Sequence, residues 1–205
     1  MDKQIITIDG PSGSGKTTIG RLLAKDLNLT FFSSGAVYRV ITKHYLETKT
    51  LNFENLDILS TDPIEFQIDK NHYFEEDLYS PEINKKSSEL AQQLEIRTIV
   101  ENILKFIYDS SRNGLVIEGR DMGSVVFPNS KNKIYLDTSK KLRSKRRMSQ
   151  SNNIETEEDL VNRDQRDSNR EHSPLVIPDG AIVIENNDVS IDEVVNKIKE
   201  NLELL

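Results

Sequence analysis

Gly10-Pro11-Ser12-Gly13-Ser14-Gly15-Lys16-Thr17-Thr18 satisfies the pattern G-x-x-x-x-G-K-[ST], and its flanks decide the fold. Gln4-Ile5-Ile6-Thr7-Ile8-Asp9 reads as a short buried strand, and Thr18 to Leu27 as an amphipathic helix with Ile19, Leu22, Leu23 and Leu27 on one side. A strand, a glycine loop and a helix in that order form a phosphate-binding P-loop. The glycines let the backbone turn tightly so that successive N–H groups point into one concavity. The helix N-terminus adds partial positive charge. In such a loop Lys16 reaches the β- and γ-phosphates and the Thr17 hydroxyl faces Mg²⁺.

Working outward, five segments read as strands of a parallel sheet: Gln4–Ile8, Thr30–Ser33, Leu115–Glu118, Lys133–Asp137 and Ala181–Glu185. Four of the five carry Ile or Val runs, as strands covered on both faces do. Helical patterns separate them, which predicts βαβ units with right-handed crossovers. Ser190 and Glu193 form a capping box that opens a last helix with Ile191, Val194, Val195 and Ile198 as its apolar stripe.

Two regions fall outside this core. From about Asn52 to Ser88, Ile64 to Asp69 alternates apolar and polar residues, Lys70-Asn71 reads as a turn and His72 to Glu75 as a return strand. Glu89 to Asp109 then reads as a helix. The second region, from about Leu142 to Pro174, is polar, helical in pattern and dense in arginine. The expectation is one domain over residues 1–205: a core of 1–51, 110–141 and 175–205, an insertion at about 52–109 and a lid at about 142–174.

Composition limits the partners. The net charge of −7 provides no general positive field for nucleic acid, so positive charge for an anionic substrate has to be local. No run approaches the ~18 apolar residues of a membrane span. The N-terminal residues do not read as a signal peptide. The absence of cysteine excludes disulfides and thiol chemistry, and it fits a reducing cytoplasm. His44, His72 and His172 lack ligand spacing and read as structural or surface groups. No apolar seam demands a dimer, so a monomer is expected.

A P-loop alone does not choose among switches, motors and small-molecule kinases. The arginines narrow the choice, because phosphoryl transfer rests on positioning and charge stabilisation. Arg143, Arg146 and Arg147 are candidates, as are Arg163, Arg166 and Arg170, whose spacing with Asp167 follows one helix face. The same spacing describes a solvated face of Arg–Asp pairs. Val116-Ile117-Glu118-Gly119-Arg120-Asp121-Met122-Gly123 ends an apolar strand in an acid, a glycine and an Arg-Asp pair. Ligands of open parallel sheets bind beyond the carboxyl ends of strands, so Glu118, Arg120 and Asp121 belong to the P-loop crevice. Ser33-Ser34-Gly35-Ala36-Val37-Tyr38-Arg39 puts Arg39 one turn into a helix at another strand end, with Tyr38 reading as core packing. An ATP-dependent kinase of another small molecule and a non-catalytic ATP-binding module both stay open on these residues.

Together these stretches resemble the bacterial cytidylate kinase family. The similarity runs through Ile6 to Lys16, Ser34 to Arg39, Glu118 to Pro128 and Arg163 to Arg170, with Ser173-Pro174-Leu175 trailing, and so spans nearly the whole chain in order. It implies an α/β P-loop fold and ATP- and Mg²⁺-dependent phosphorylation of CMP and dCMP. It assigns Gly10, Pro11, Ser12, Gly13, Ser14, Gly15, Lys16, Thr17 and Thr18 to ATP, and Thr17 and Glu118 to the metal. Arg39, Arg120 and Arg170 match the acceptor-phosphate arginines, with Ser34 beside them. Ser88, Arg97 and Asp121 match the cytosine contacts, and Arg163 and Asp167 the sugar contacts. The insertion corresponds to the acceptor-binding part and the arginine-rich segment to the lid, where Arg146 and Arg147 are the candidates for neutralising developing charge. A carboxylate accepting from cytosine N4 and an arginine donating to N3 or O2 form the matching base reader. The chain departs from the family at Ser33, where aspartate is usual, at Thr17, where glycine is frequent, and in the shortness of both appendages. With Ser33, metal coordination leans on Thr17, Glu118 and waters.

Overall fold

The computed structural model describes residues 3–203 except 52, 54 and 151–155. Five parallel strands make the main sheet: β1 (Gln4–Asp9), β2 (Thr30–Ser33), β6 (Gly114–Gly119), β7 (Asn132–Asp137) and β8 (Ile182–Glu185), in the order β2-β6-β1-β7-β8. The expected strands agree with these to within a residue at each end. The register sets Ile8 beside Glu118 and Ser33 beside Glu118, which brings three strand ends to one edge of the sheet.

Neighbouring residues of one strand feed opposite cores. Leu115 and Ile117 pack with Phe32, Val37, Ile41 and Leu104 on one face, while Val116 packs with Ile8, Leu23, Phe31 and Ile134 on the other. Helices α1 (Lys16–Leu27) and α7 (Ile191–Glu200) cover the second face, and α2 (Ser34–Thr48) and α4 (Leu94–Ser110) the first. The capping box of α7 is formed: Ser190 Oγ accepts from Glu193 N at 3.2 Å, and Glu193 Oε2 accepts from Ser190 N at 2.8 Å.

Between α2 and β6 the chain builds a second, antiparallel sheet of β3 (Leu56–Thr61), β4 (Ile64–Ile68) and β5 (Asn71–Phe74). Two corrections to the sequence reading follow. The hairpin has a third strand, β3, and its turn lies at Asp69-Lys70, with Asp69 at φ 54° and Asn71 already in the strand. The single helix expected over Glu89 to Asp109 is two helices, α3 (Pro81–Leu90) and α4. Helix α3 starts where Ser80 Oγ accepts from Ile83 N, with Pro81 in the first turn. The break at Ala91 is held by Arg97, whose Nη1 donates to the Ala91 carbonyl at 3.0 Å. The small sheet packs on the main one through Phe66, edge-to-face with Phe32 at 6.4 Å. After β7 come α5 (Lys140–Gln150) and α6 (Glu157–Asn169), and the stretch that joins them lies outside the described residues. Among the described residues, no helix is long and apolar enough to cross a membrane.

Candidate functional site

The carboxyl ends of β1, β2 and β6 open into a cleft of about 550 Å³. Its floor is the P-loop. Gly13 at φ 76° and Gly15 at φ 93° take left-handed backbone that other residues avoid. A Cβ on Gly13 would meet the Arg143 carbonyl at 2.9 Å. Helix α1 starts at Lys16, two residues earlier than its apolar stripe suggests, because Gly15 serves as the N-cap. Ser12, Gly13, Gly15, Lys16, Thr17 and Thr18 line the cleft, while Gly10, Pro11 and Ser14 form the back of the loop. The Ser14 carbonyl accepts from Asn186 Nδ2 at 2.7 Å, which ties the loop to the end of β8.

Lys16 is buried and folds over its own loop, donating to Pro11 O at 2.8 Å and Ser14 Oγ at 3.3 Å. Burial, helped by the nearby Arg120 charge, lowers its pKa to about 7. Glu118 Oε1 accepts from both Thr17 Oγ1 and Ser33 Oγ, each at 2.7 Å. Burial pushes this carboxyl up, but Lys16, the two hydroxyls and Arg120 outweigh it and hold the group below its ordinary value. Serine at position 33 thus supplies a donor to Glu118. No cluster of three acidic or histidine side chains suited to a metal occurs among the described residues. One carboxylate beside a hydroxyl suits Mg²⁺, which keeps several waters and takes its other ligands from phosphates.

The arginines converge from four elements. Arg39 on α2 is buried and donates through Nε to Asn84 Oδ1 at 3.0 Å, with its guanidinium 4.8 Å from the Tyr79 ring centroid. Arg120 donates through Nε to Asp167 Oδ2 at 2.8 Å, so its carboxylate partner is in α6 and not the adjacent Asp121. Asp121 instead takes Arg97 Nη2 in a buried ion pair and faces Arg170 Nη2 at 3.4 Å. Arg97 also lies 5.8 Å from the Tyr38 ring centroid, and Tyr38 both packs on the core and lines the cleft. Arg163 lines the cleft with its Nε buried and without a hydrogen-bond partner among the described residues. Burial, then the charges of Arg39 and Arg120, push its pKa down to about 9. Burial raises the Asp167 carboxyl, but Arg120, Arg163 and Arg170 overcome this and hold it low.

Ser34, at the start of α2, and Ser88, at the end of α3, are buried in the cleft wall. Ser88 Oγ accepts from Arg166 Nε at 3.1 Å, a contact between α3 and α6. Arg170 does not continue the helix face that its spacing suggests. It is the C-cap of α6, in extended backbone, and its Nε donates to Ser173 O at 2.5 Å. It still reaches the cleft from there.

The arginines of α5 separate. Arg147 lines the cleft. Arg146 lies against the P-loop near Gly15, its Nη2 3.4 Å from the Asn186 carbonyl. Arg143 is buried in structural work and so drops out as a phosphate ligand. Its Nε donates to Thr138 O at 3.0 Å and its Nη1 to Ser12 O at 2.9 Å and Asp164 Oδ2 at 2.5 Å. Sequence reasoning missed Asn84 and Tyr79, which hold Arg39, because they sit in the insertion without a motif. It also left Asp9 without a role. Asp9 is fully buried, accepts from Met122 N at 2.9 Å and Gly123 N at 2.7 Å, and so anchors the turn that carries Arg120 and Asp121. Among the histidines, His44 is buried with Nδ1 2.9 Å from the Tyr73 hydroxyl.

Comparison with known proteins agrees with this geometry. A family model described as cytidylate kinase matches residues 6–204. The chain is 36% identical over 209 residues to a cytidylate kinase of Chlamydia felis, with 95% of each chain covered. It is 35% identical over 218 residues to a cytidylate kinase of Fusobacterium nucleatum, with 99% of each covered. Among solved structures, a shikimate kinase from Bacteroides thetaiotaomicron superposes with a TM-score of 0.54 at 16% identity, covering 98% of this chain and 99% of that one. A shikimate kinase from Acinetobacter baumannii does so with a TM-score of 0.51 at 19% identity, covering 97% of this chain and 92% of that one. These two likenesses speak for the fold alone.

Proposed function

The chain belongs to the cytidylate kinase family and is a nucleoside monophosphate kinase, and we propose that it transfers the γ-phosphoryl group of ATP to CMP and dCMP, giving the diphosphates. The observation that carries the residue roles is the excess of cations in one cleft with the P-loop. Arg39, Arg120, Arg163 and Arg170 meet there, and burial, with the charges of Arg39 and Arg120, pushes Arg163 down to about 9. Such a site is completed by anions, and two nucleotides provide them.

In this reading residues 10–18 cradle the ATP phosphates, with Lys16 on the β- and γ-oxygens. Thr17 and Glu118 hold Mg²⁺, which when bound neutralises phosphate charge. Arg39, Arg120 and Arg170 fix the acceptor phosphate in line with the donor, with Ser34 on the same wall. Arg147 and Arg146 neutralise charge that develops on the transferring group. Asp121 accepts from cytosine N4, Arg97 donates to N3 or O2, Ser88 closes the base pocket, and Arg163 and Asp167 take the sugar. Uracil would bring a carbonyl against the Asp121 carboxylate and leave buried polar groups unpaired. The acceptor is already an anionic phosphate, so these groups orient it and no general base is required.

The small sheet with α3 and α4 is the acceptor-binding insertion, and α5 and α6 form the lid. Closure of the lid excludes water that would otherwise hydrolyse ATP. The enzyme acts as a monomer. ADP release from ATP and Mg²⁺ with CMP, dCMP, UMP, AMP, GMP and shikimate as separate acceptors tests the reading. Turnover with CMP or dCMP well above the rest is expected, and equal or greater turnover with another acceptor overturns it.

A further inference from the structure

Asp164 lies inside the arginine-rich helix, yet it does not line the cleft, and its ion pair is with Arg143, although its charge is also felt at Arg120. It turns to the other side, toward the P-loop. Its Oδ1 accepts from the backbone N–H of Ser12 at 3.2 Å, and its Oδ2 from Arg143 Nη1 at 2.5 Å. Arg143 completes the connection by donating to Ser12 O at 2.9 Å and to Thr138 O at the end of β7 at 3.0 Å. Both polar groups of the Ser12 backbone are therefore held by an ion pair that spans α5 and α6, its arginine buried and its carboxylate partly so. The next residue is Gly13, whose left-handed backbone passes so close to the Arg143 carbonyl that a side chain would clash there.

The same helix carries the groups that face the acceptor. Asp167 holds Arg120, Arg166 holds Ser88, and Arg163 lines the cleft one residue before Asp164. One rigid element thus touches the donor loop through Asp164 and the acceptor side through its neighbours. Phosphoryl transfer needs the two substrates aligned to within a fraction of an ångström, and a 1 Å misplacement costs on the order of a hundredfold in rate.

We propose that Asp164 is a positioning residue that docks the lid helix on the P-loop at Ser12, so that the donor loop and the acceptor arginines share one reference frame. It works with Arg143 and touches neither nucleotide. The proposal rests on the ATP-to-CMP reading for its kinetic consequence but not for its structural one.

The test uses Asp164→Ala and Asp164→Asn in the full chain. The alanine variant removes the acceptor for Ser12 N–H and the charge facing Arg143, whereas asparagine keeps an acceptor and loses only the charge. Two readouts are taken. Hydrogen exchange of the peptide containing Ser12 and Gly13, measured without nucleotide, is expected to speed up in both variants, more in alanine. With CMP as acceptor, kcat is expected to fall about 10- to 100-fold while the KM for CMP stays within about threefold, because the acceptor contacts are untouched. Acceptor-independent ATP hydrolysis should take a larger share of the remaining turnover. If alanine fails to fold, asparagine carries the test. Unchanged exchange at Ser12, or kcat within twofold of the parent, overturns the proposal. Faster exchange in a protein that phosphorylates no nucleotide even in parent form would instead overturn the reaction assigned to the site.

Discussion

Lys16 is expected to take up a proton when ATP binds. Its Nζ is withdrawn from water and donates to Pro11 O and Ser14 Oγ, with the Glu118 charge only partly offsetting the burial. Burial and the Arg120 charge bring its pKa to about 7. A phosphate oxygen against Nζ favours the ammonium form and raises the pKa by about 2–3 units. At pH 8 the free enzyme then holds Lys16 protonated about one-tenth of the time and the complex nearly always, so binding takes up roughly 0.8–0.9 proton. The sign is fixed: the protonated form binds more tightly, so affinity weakens as pH rises, by about fivefold between pH 7 and pH 8. Titration calorimetry with a non-hydrolysable ATP analogue, at pH 8 in two buffers of different ionisation enthalpy, reads the proton number directly. Protons exchanged by the analogue's own terminal phosphate appear equally in Lys16→Met, so the share of the lysine is the difference between the two proteins and should be about 0.8–0.9 proton. A difference below about 0.2 proton would refute the argument that burial holds this lysine near neutrality.

Three further outcomes follow from the same geometry. Asp121→Asn should reduce the ratio of kcat/KM for CMP over UMP by about tenfold or more, since the amide no longer opposes the uracil carbonyl with a charge; an unchanged ratio means Asp121 does not read the base. Asp9 gives a stability effect with a definite sign. Burial raises its pKa from 3.8 to about 6, so the folded state binds the extra proton, and its stabilising contribution is complete below the lower value and lost as pH rises through the higher one, in total about 3 kcal/mol. Urea unfolding from pH 4 to 7 should show that loss in the parent and not in Asp9→Asn, and parallel pH profiles would sink the account. Phe66→Ala should cost about 3–5 kcal/mol in urea unfolding, because the ring is fully buried; a loss under about 1 kcal/mol would mean that the small sheet is not packed on the core.

The main sheet was legible because β1, β2 and β6 are buried along nearly their whole length and every strand carries a short apolar run, although β7 and β8 bury only some of their residues. The small sheet was legible only where one face alone is buried and alternation is strict, as in β4. Strand β3 escaped notice because its alternation is interrupted: Ile58 pairs with Phe66 and Ser60 with Glu65, so Leu59 is an extra residue that breaks the period. The division of α3 from α4 carries no glycine or proline at Ala91 to Gln93. It is enforced by Arg97 reaching back to the Ala91 carbonyl, a contact that exists only once the chain is folded. In the site, Glu118, Arg120 and Asp121 were readable because a strand end followed by glycine fixes where their side chains emerge. Arg143 and Arg147 were not separable, since they sit one turn apart on one face of α5. What distinguishes them is distance along the helix: the first meets Ser12 and the second reaches the cleft.

The charge of the chain and the charge of the site have opposite signs, and this difference has a consequence for stability. The chain carries −7 overall, yet the carboxylates in the cleft are already committed. Glu118 accepts from two hydroxyls, Asp167 from Arg120, and Asp121 lies between Arg97 and Arg170. Arg39 and Arg163 are buried with them and pushed below the ordinary arginine value, by burial first and then by neighbouring cations. Phosphate oxygens placed among these cations add favourable charge interactions that the carboxylates alone do not exhaust. Binding linkage then requires the midpoint of thermal unfolding to rise when ATP or CMP is added, and to rise further with both, because a ligand bound only to the folded state stabilises it in proportion to its occupancy. The residues that make the enzyme selective for anions are thus the same residues through which bound anions stabilise its fold.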